Sequence, residues 1–228
     1  MKKFYSKLIR FWNEDRSLTV MLLLLLLFIF VFVPTLSPRG GSQIFLKITY
    51  SVIVVSGILS VLQHKKDVII ICILAVIDVL IYWLSDTDSS FAILVVNDLS
   101  SILFNLFFAT AILIKTFKPG DITFQRIEGS IVVYLLMGLV FAFIFHTIYL
   151  FEGASSFNNI GGADIKGFLY YSFTTLTTVG YGDISPVHPL ARSFANLEAL
   201  IGQLYPAILI ARLVSMEFES SQKKREKM

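Results

Sequence analysis

The chain is poor in the residues that most protein chemistry draws on. Its 228 residues include one cysteine and three histidines. A lone thiol builds no disulfide framework, and no CxxC pair or zinc-type spacing is present. Cys72 lies in an apolar run and reads as a small buried hydrophobe. Charged residues make up only 15% of the chain, against about 25% in soluble domains. The net charge of +3, with no basic patch interleaved with aromatics, gives no footprint for nucleic acid. Phosphate loops of the G-x-G-x-x-G or G-x-x-x-x-G-K kind are missing, as is any long linker.

What remains is apolar: 56% hydrophobic residues and a mean hydropathy of +0.77. A bilayer core takes roughly 20 apolar residues per helix. Such segments fall at 18–36, 44–63, 67–85, 91–115, 129–151 and 193–216. The first is too long for a signal-peptide core and lacks a small-x-small cleavage site, so it reads as a retained span. Basic and base-poor loops alternate. Lys2, Lys3, Lys7, Arg10 and Arg16 precede the first span, and the next loop carries only Arg39. Lys65 and Lys66 then give way to the acidic Asp86 and Asp88. Lys115, Lys118 and Arg126 follow, and Lys223, Lys224, Arg225 and Lys227 close the chain. The positive-inside bias puts both termini in the cytoplasm of a multi-pass protein of the plasma (cell inner) membrane.

Between the last two spans stands Thr175-Leu176-Thr177-Thr178-Val179-Gly180-Tyr181-Gly182-Asp183. A glycine-punctuated stretch cannot stay helical, and non-helical backbone at membrane depth survives only inside protein or along a watery path. Its unpaired carbonyls can replace the water shell of a cation. The string resembles the selectivity filter of potassium channels, T-x-x-T-x-G-Y-G-D, and the resemblance covers about residues 129–216. It implies an all-α membrane protein with six transmembrane helices, and a re-entrant pore helix and selectivity filter between the last two. It also implies that Thr178, Val179, Gly180, Tyr181 and Gly182 form the filter. Oxygens of the first four would meet potassium, the permeant ion and the only non-protein group implied. One filter strand cannot surround an ion, so the resemblance implies a homotetramer. Gly180 and Gly182 permit backbone angles costly for other residues.

The short segment Lys166–Thr178 is the expected pore helix, with Asp164 as its N-cap and its negative C-terminal end toward a cavity. Tyr170 and Tyr171 stand where many potassium channels carry an aromatic pair. They form either a cuff around the filter, with Tyr171 reaching Asp183, or plain packing at the interface. Asp183 accepts hydrogen bonds from behind the filter. Thr174 stands where some relatives have a glutamate paired to that aspartate. Gly202 occupies the place of the family's inner-helix hinge glycine, and bending and close packing are both open readings. Pro206, one turn on, removes a helical hydrogen bond and predicts a kink. Gln203 is expected at the cavity, and Arg192 tops the inner helix. Glu198 either concentrates cations or satisfies hydroxyls such as Ser172 and Thr175.

Voltage-gated relatives carry arginines at every third position of the fourth span. Here that span, Phe91–Lys115, has none, so a voltage-sensor shape without the usual sensor is expected. Asp78 and Asp98 sit at similar depth. They share a proton or flank Lys47 as a pH- or ion-sensitive element, or they join helices as a polar cluster. Five regions follow from this reading. They are an interfacial amphipathic helix at 1–17, a four-helix transmembrane domain at 18–115, a cytoplasmic linker at 116–128, a pore domain at 129–216 and a basic tail at 217–228. That tail is too short for a soluble ligand-binding domain, and its cations suit anionic lipid headgroups. A non-conducting, modulatory channel subunit is the alternative. A distant third is an intramembrane aspartyl protease, for Gly180-Tyr181-Gly182-Asp183 also fits G-x-G-D. The Tyr-Asp pair and Pro-Ala-Leu string of that class are missing.

Overall fold

The computed structural model describes residues 14–36, 41–61, 65–86, 89–117 and 123–226. Helix dominates them. The leucine-rich α1 (Glu14–Leu27) runs into a π-helical turn (Phe28–Phe32) and a last turn (Val33–Thr35). The amide of Val33 bonds five residues back to Phe28. Pro34 follows, with no amide to offer, so the ladder is rearranged where the proline would have broken it. Most of the expected interfacial helix, residues 1–13, lies outside the described residues; residues 14–17 belong to α1 instead.

Then come α2 (Gly41–Val61), α3 (Lys65–Leu84), α4 (Phe91–Thr116) and α5 (Phe124–Glu152). A helical turn (Ala154–Ser156), β1 (Phe157–Asn158), α6 (Ile165–Leu176), β2 (Ser185–Pro186) and α7 (Pro189–Glu226) complete the chain. Among the described residues five helices are long and apolar enough to cross a membrane: Leu18–Thr35, Gly41–Leu59, Phe91–Thr116, Phe124–Glu152 and Pro189–Met216. The third expected span differs. Lys65, Lys66 and Asp67 open α3, leaving the apolar stretch Ile69–Leu84. At 1.5 Å per residue that stretch reaches about 24 Å, short of a core of about 30 Å.

Two other boundaries move. The expected linker 116–128 gives up Phe124–Glu128 to α5 and Thr116 to α4. The inner helix does not stop at 216, because α7 runs on through 38 residues to Glu226. Gln, Lys, Arg and Glu are good helix formers, so the polar tail extends the helix.

Packing follows the chain order closely. α4 lies along α5, α5 along α6, and α1 against both α2 and α5. One core joins Met21 and Leu25 of α1 and Ile29 of the π-helical turn to Phe104 and Phe108 of α4 and to Val132 and Leu136 of α5. A second, aromatic core gathers Phe141, Phe145, Phe157, Phe168 and Tyr171 around α6. Phe145 meets Phe157 and Tyr171 edge-on, with centroids 5.9 and 4.9 Å apart. This cluster holds α6 between α5 and α7.

Candidate ion-conducting site

Asp164 caps α6 as expected, its carboxylate accepting from the Lys166 amide at 3.2 Å. The helix ends at Leu176, two residues before the expected limit. Its last turn is tied to the following strand by one carbonyl. Thr174 O accepts from the amides of both Val179 (2.9 Å) and Gly180 (3.0 Å). The role of Thr174 thus lies in its backbone, while its hydroxyl, like that of Thr175, folds back onto Tyr171 O.

Beyond this tie the backbone alternates in hand. Thr178 (φ 59°), Gly180 (φ 53°) and Gly182 (φ 79°) all sit in the left-handed region. In an ordinary strand successive residues face opposite sides, and a left-handed residue at every second position breaks that alternation. The glycines adopt such angles freely, whereas Thr178 is β-branched and strained there. Strain of this kind persists only where surrounding structure holds it. No donor from the described residues bonds to the carbonyls of Thr178, Val179, Gly180 or Tyr181. Val179 is 52% and Tyr181 72% exposed. Four unpaired carbonyls in sequence, on a strand uncovered within one protomer, make up the site.

Asp183 closes the strand. Its carboxylate accepts from the Tyr170 hydroxyl at 2.7 Å and from the Ile184 amide at 3.0 Å, while Asn159 reaches its carbonyl. The tyrosine bond holds the carboxyl below the ordinary aspartate range and pushes the Tyr170 phenol up. Tyr171, expected to make this contact, does not. One residue is 100° around a helix, so Tyr171 turns into the aromatic core and is buried there. Past Asp183, β2 pairs antiparallel with β1, setting Phe157 opposite Pro186. Arg192 donates to Pro186 O at 3.1 Å and tops α7.

Gly202 is a point of close approach. A Cβ there would lie 1.9 Å from Leu176 O, the last carbonyl of α6. The Tyr134 hydroxyl donates to the same oxygen at 3.0 Å. Pro206 lies inside α7 without ending it, and Gln203 is exposed in the protomer. Glu198 is buried behind α6, with Oε1 2.5 Å from Ser172 Oγ.

The acids of the first four helices are not one cluster. Lys47 pairs with Asp86 at 2.7 Å and with Trp83 O, flanking neither Asp78 nor Asp98. Asp78 takes hydroxyls from Tyr50 (2.5 Å), Ser101 (2.8 Å) and Ser100 (3.1 Å). Asp98 faces His146 Nδ1 at 2.8 Å and Thr147. The two aspartates therefore do not share a proton; Asp78 joins α3 to α2 and α4, and Asp98 joins α4 to α5. His146, whose Nε2 lies 3.1 Å from Ala163 O beside the α6 cap, went unmarked in the sequence. A lone histidine in an apolar run was its only signal. Buried Glu128, which accepts from Thr19 of α1, was likewise unmarked.

A helical membrane fold with a non-helical segment of unpaired carbonyls between its last two long helices is an arrangement that suits an ion channel. Comparison with known proteins shows what part of the chain is similar to. Residues 132–219 match the family described as Ion channel. The chain is similar to "Two-pore potassium channel 5" of Arabidopsis thaliana, with 30% identity over 104 residues, 44% of this chain and 24% of the relative. It is similar also to "Protein LctB" of Bacillus caldotenax, with 36% identity over 88 residues, 36% of this chain and 64% of the relative. The chain spans less than two thirds of each of these relatives. No solved structure matches it. Residues 132–219 are thus similar to an ion-channel domain, and the chain around them is that of a multi-pass, all-α membrane protein. These likenesses are to channels and not to enzymes, which weighs against the protease reading of Asp183.

Proposed function

We propose that the protein is a potassium-selective channel acting as a homotetramer. In this reading four copies set their filters around one axis, and carbonyls of Thr178, Val179, Gly180 and Tyr181, with the Thr178 hydroxyl, replace the hydration shell of K+. The carrying observation is the run of unpaired carbonyls at Thr178–Tyr181. The exposure of Val179 and Tyr181 supports it, for those side chains need neighbouring copies to hold the ring's width. A relative such as "Two-pore potassium channel 5" has two pores by its name, so the number of copies is itself a point to test. The first four helices form a four-helix domain without sensor arginines, the α3 stretch included as a span. Both termini then lie in the cytoplasm of the plasma membrane, and the basic end of α7 meets anionic headgroups. Gly202 and Pro206 act as packing point and kink of the inner helix, and Gln203 faces the central cavity.

Purified protein in liposomes tests this reading directly. Potassium flux well above sodium flux, blocked by barium, is expected, with a mass in detergent four times that of one chain. Absence of flux from protein assembled alone would favour a modulatory subunit.

A further inference from the structure

The carboxyl behind the pore helix has two contacts in series and one serine to serve them. Glu198 on α7 is fully buried within a single protomer, so no second copy reaches it. Ser172 Oγ on α6 lies 2.5 Å from Glu198 Oε1 and 2.7 Å from Gly138 O on α5. A hydroxyl has one proton to donate, and a carbonyl oxygen has none. Were Glu198 ionised, one of the two short contacts would set lone pairs against each other. Both are satisfied only when two protons are present. Glu198 Oε1–H then donates to Ser172, and Ser172 donates to Gly138 O.

The surroundings agree. The ionisable side chains that face Glu198 are Tyr134 on α5 and Tyr171 on α6, and neither supplies a cation. Among the described residues no Lys, Arg or His pairs with it. Glu198 Oε2 is buried and has no hydrogen-bond partner. A neutral acid's carbonyl oxygen bears that isolation far better than a carboxylate does.

We propose that Glu198 is held as a neutral carboxylic acid whose proton, passed through Ser172, locks α7 and α5 to the pore helix, making Glu198 a positioning residue for the filter. The inference rests on the channel reading above. Ser172 lies under two turns before Thr178, and Gly202 is one turn beyond Glu198, on the same face of α7. That face therefore grips α6 twice, at Ser172 through a proton and at Leu176 O through the absence of a side chain. Removing the proton replaces a donated hydrogen bond by a buried anion at the back of the filter.

The test uses the full chain in lipid vesicles. The infrared difference between wild type and Glu198→Gln at neutral pH is expected to show loss of a protonated-acid carbonyl band, with carboxylate bands unchanged. Loss of a carboxylate band instead would overturn the proposal. Ser172→Ala should move the acid band to higher frequency, because the acid loses its acceptor; an unmoved band would remove Ser172 from the relay. Raising the pH should reduce potassium flux, or its selectivity over sodium, in wild type but not in Glu198→Gln, whose amide still donates to Ser172. Identical alkaline profiles would overturn the positioning role. Protein that passes no potassium at any pH would sink the channel reading, while the infrared difference would still decide the proton.

Discussion

Tyr170 donates its hydroxyl to Asp183 Oδ2 at 2.7 Å, and that bond joins the second turn of α6 to the far end of the strand Thr178–Gly182. Thr174 O grips the near end of the same strand. The strained Thr178 lies between the end of α6, where its amide bonds Thr175 O, and the Val179 and Gly180 amides held by Thr174 O, which is how an unfavourable φ persists without covering side chains. Tyr170→Phe keeps the ring and removes the far anchor. Potassium flux through this variant should fall or decay faster than in wild type, with the inner end of the strand unaffected.

The same bond sets an acid sensitivity. Asp183 is held below the ordinary carboxylate range, chiefly by the Tyr170 hydroxyl. A depressed group contributes above its unperturbed value, about 3.9 for aspartate, and that contribution is lost as pH falls through the lowered one. Flux measured against outer pH should therefore hold through neutrality and fail only in strong acid. In Tyr170→Phe the failure should begin at higher pH, and an unchanged midpoint would show that Asp183 does not govern it.

Gly202→Ala sets two effects of opposite sign against each other. Alanine in a helix interior gains about 1 kcal/mol over glycine. Its methyl group, however, would stand 1.9 Å from the backbone oxygen of Leu176. Backbone cannot yield as a side-chain tip does, and overpacking costs about 1–3 kcal/mol. The net effect should be destabilising, with a lower thermal midpoint of the assembled protein and reduced flux. A variant that is more stable and still conducts would show that α6 and α7 separate readily at this point.

Two acids of similar appearance in the sequence should behave differently. Asp98 is buried against His146 and Thr147, whereas Asp86 is an exposed partner of Lys47. Asp98→Ala strands a buried imidazole and should cost about 1–3 kcal/mol. Asp86→Ala should cost less, because Asp86 is exposed and Lys47 keeps its bond to the Trp83 carbonyl. Thermal unfolding of the two variants side by side measures the difference.

The fold class was legible because span length and loop charge are set by the bilayer, which acts on every residue alike. The non-helical segment was legible because its glycines mark the positive φ found at Gly180 and Gly182. Pairings between side chains were not. Tyr170 and Tyr171 are the same residue type at adjacent positions, and only the rotation of α6 decides which meets Asp183 and which enters the core. Asp78 and Asp98 share a depth, yet depth leaves azimuth open, and each faces a different helix. Thr178 gave no sign of its left-handed φ, since nothing in a threonine calls for it. Lys65, Lys66 and Asp67 could be read as loop or as helix, and the structure places them in α3.

The fourth helix offers the last test. α4 buries Asn97, Asp98, Ser101 and Asn105, and its one basic residue, Lys115, lies in its last turn. A charge crossing the membrane field is worth about 2.3 kcal/mol per 100 mV. Steep voltage gating needs several such charges within the field, and α4 carries no cation there. Conductance in a planar bilayer should accordingly change only weakly between strongly negative and strongly positive potentials. Lys115→Gln should leave that relation unaltered, because a residue at the helix end traverses little of the field. A steep curve that Lys115→Gln flattens would instead mean that α4 moves far enough to carry its end through the membrane.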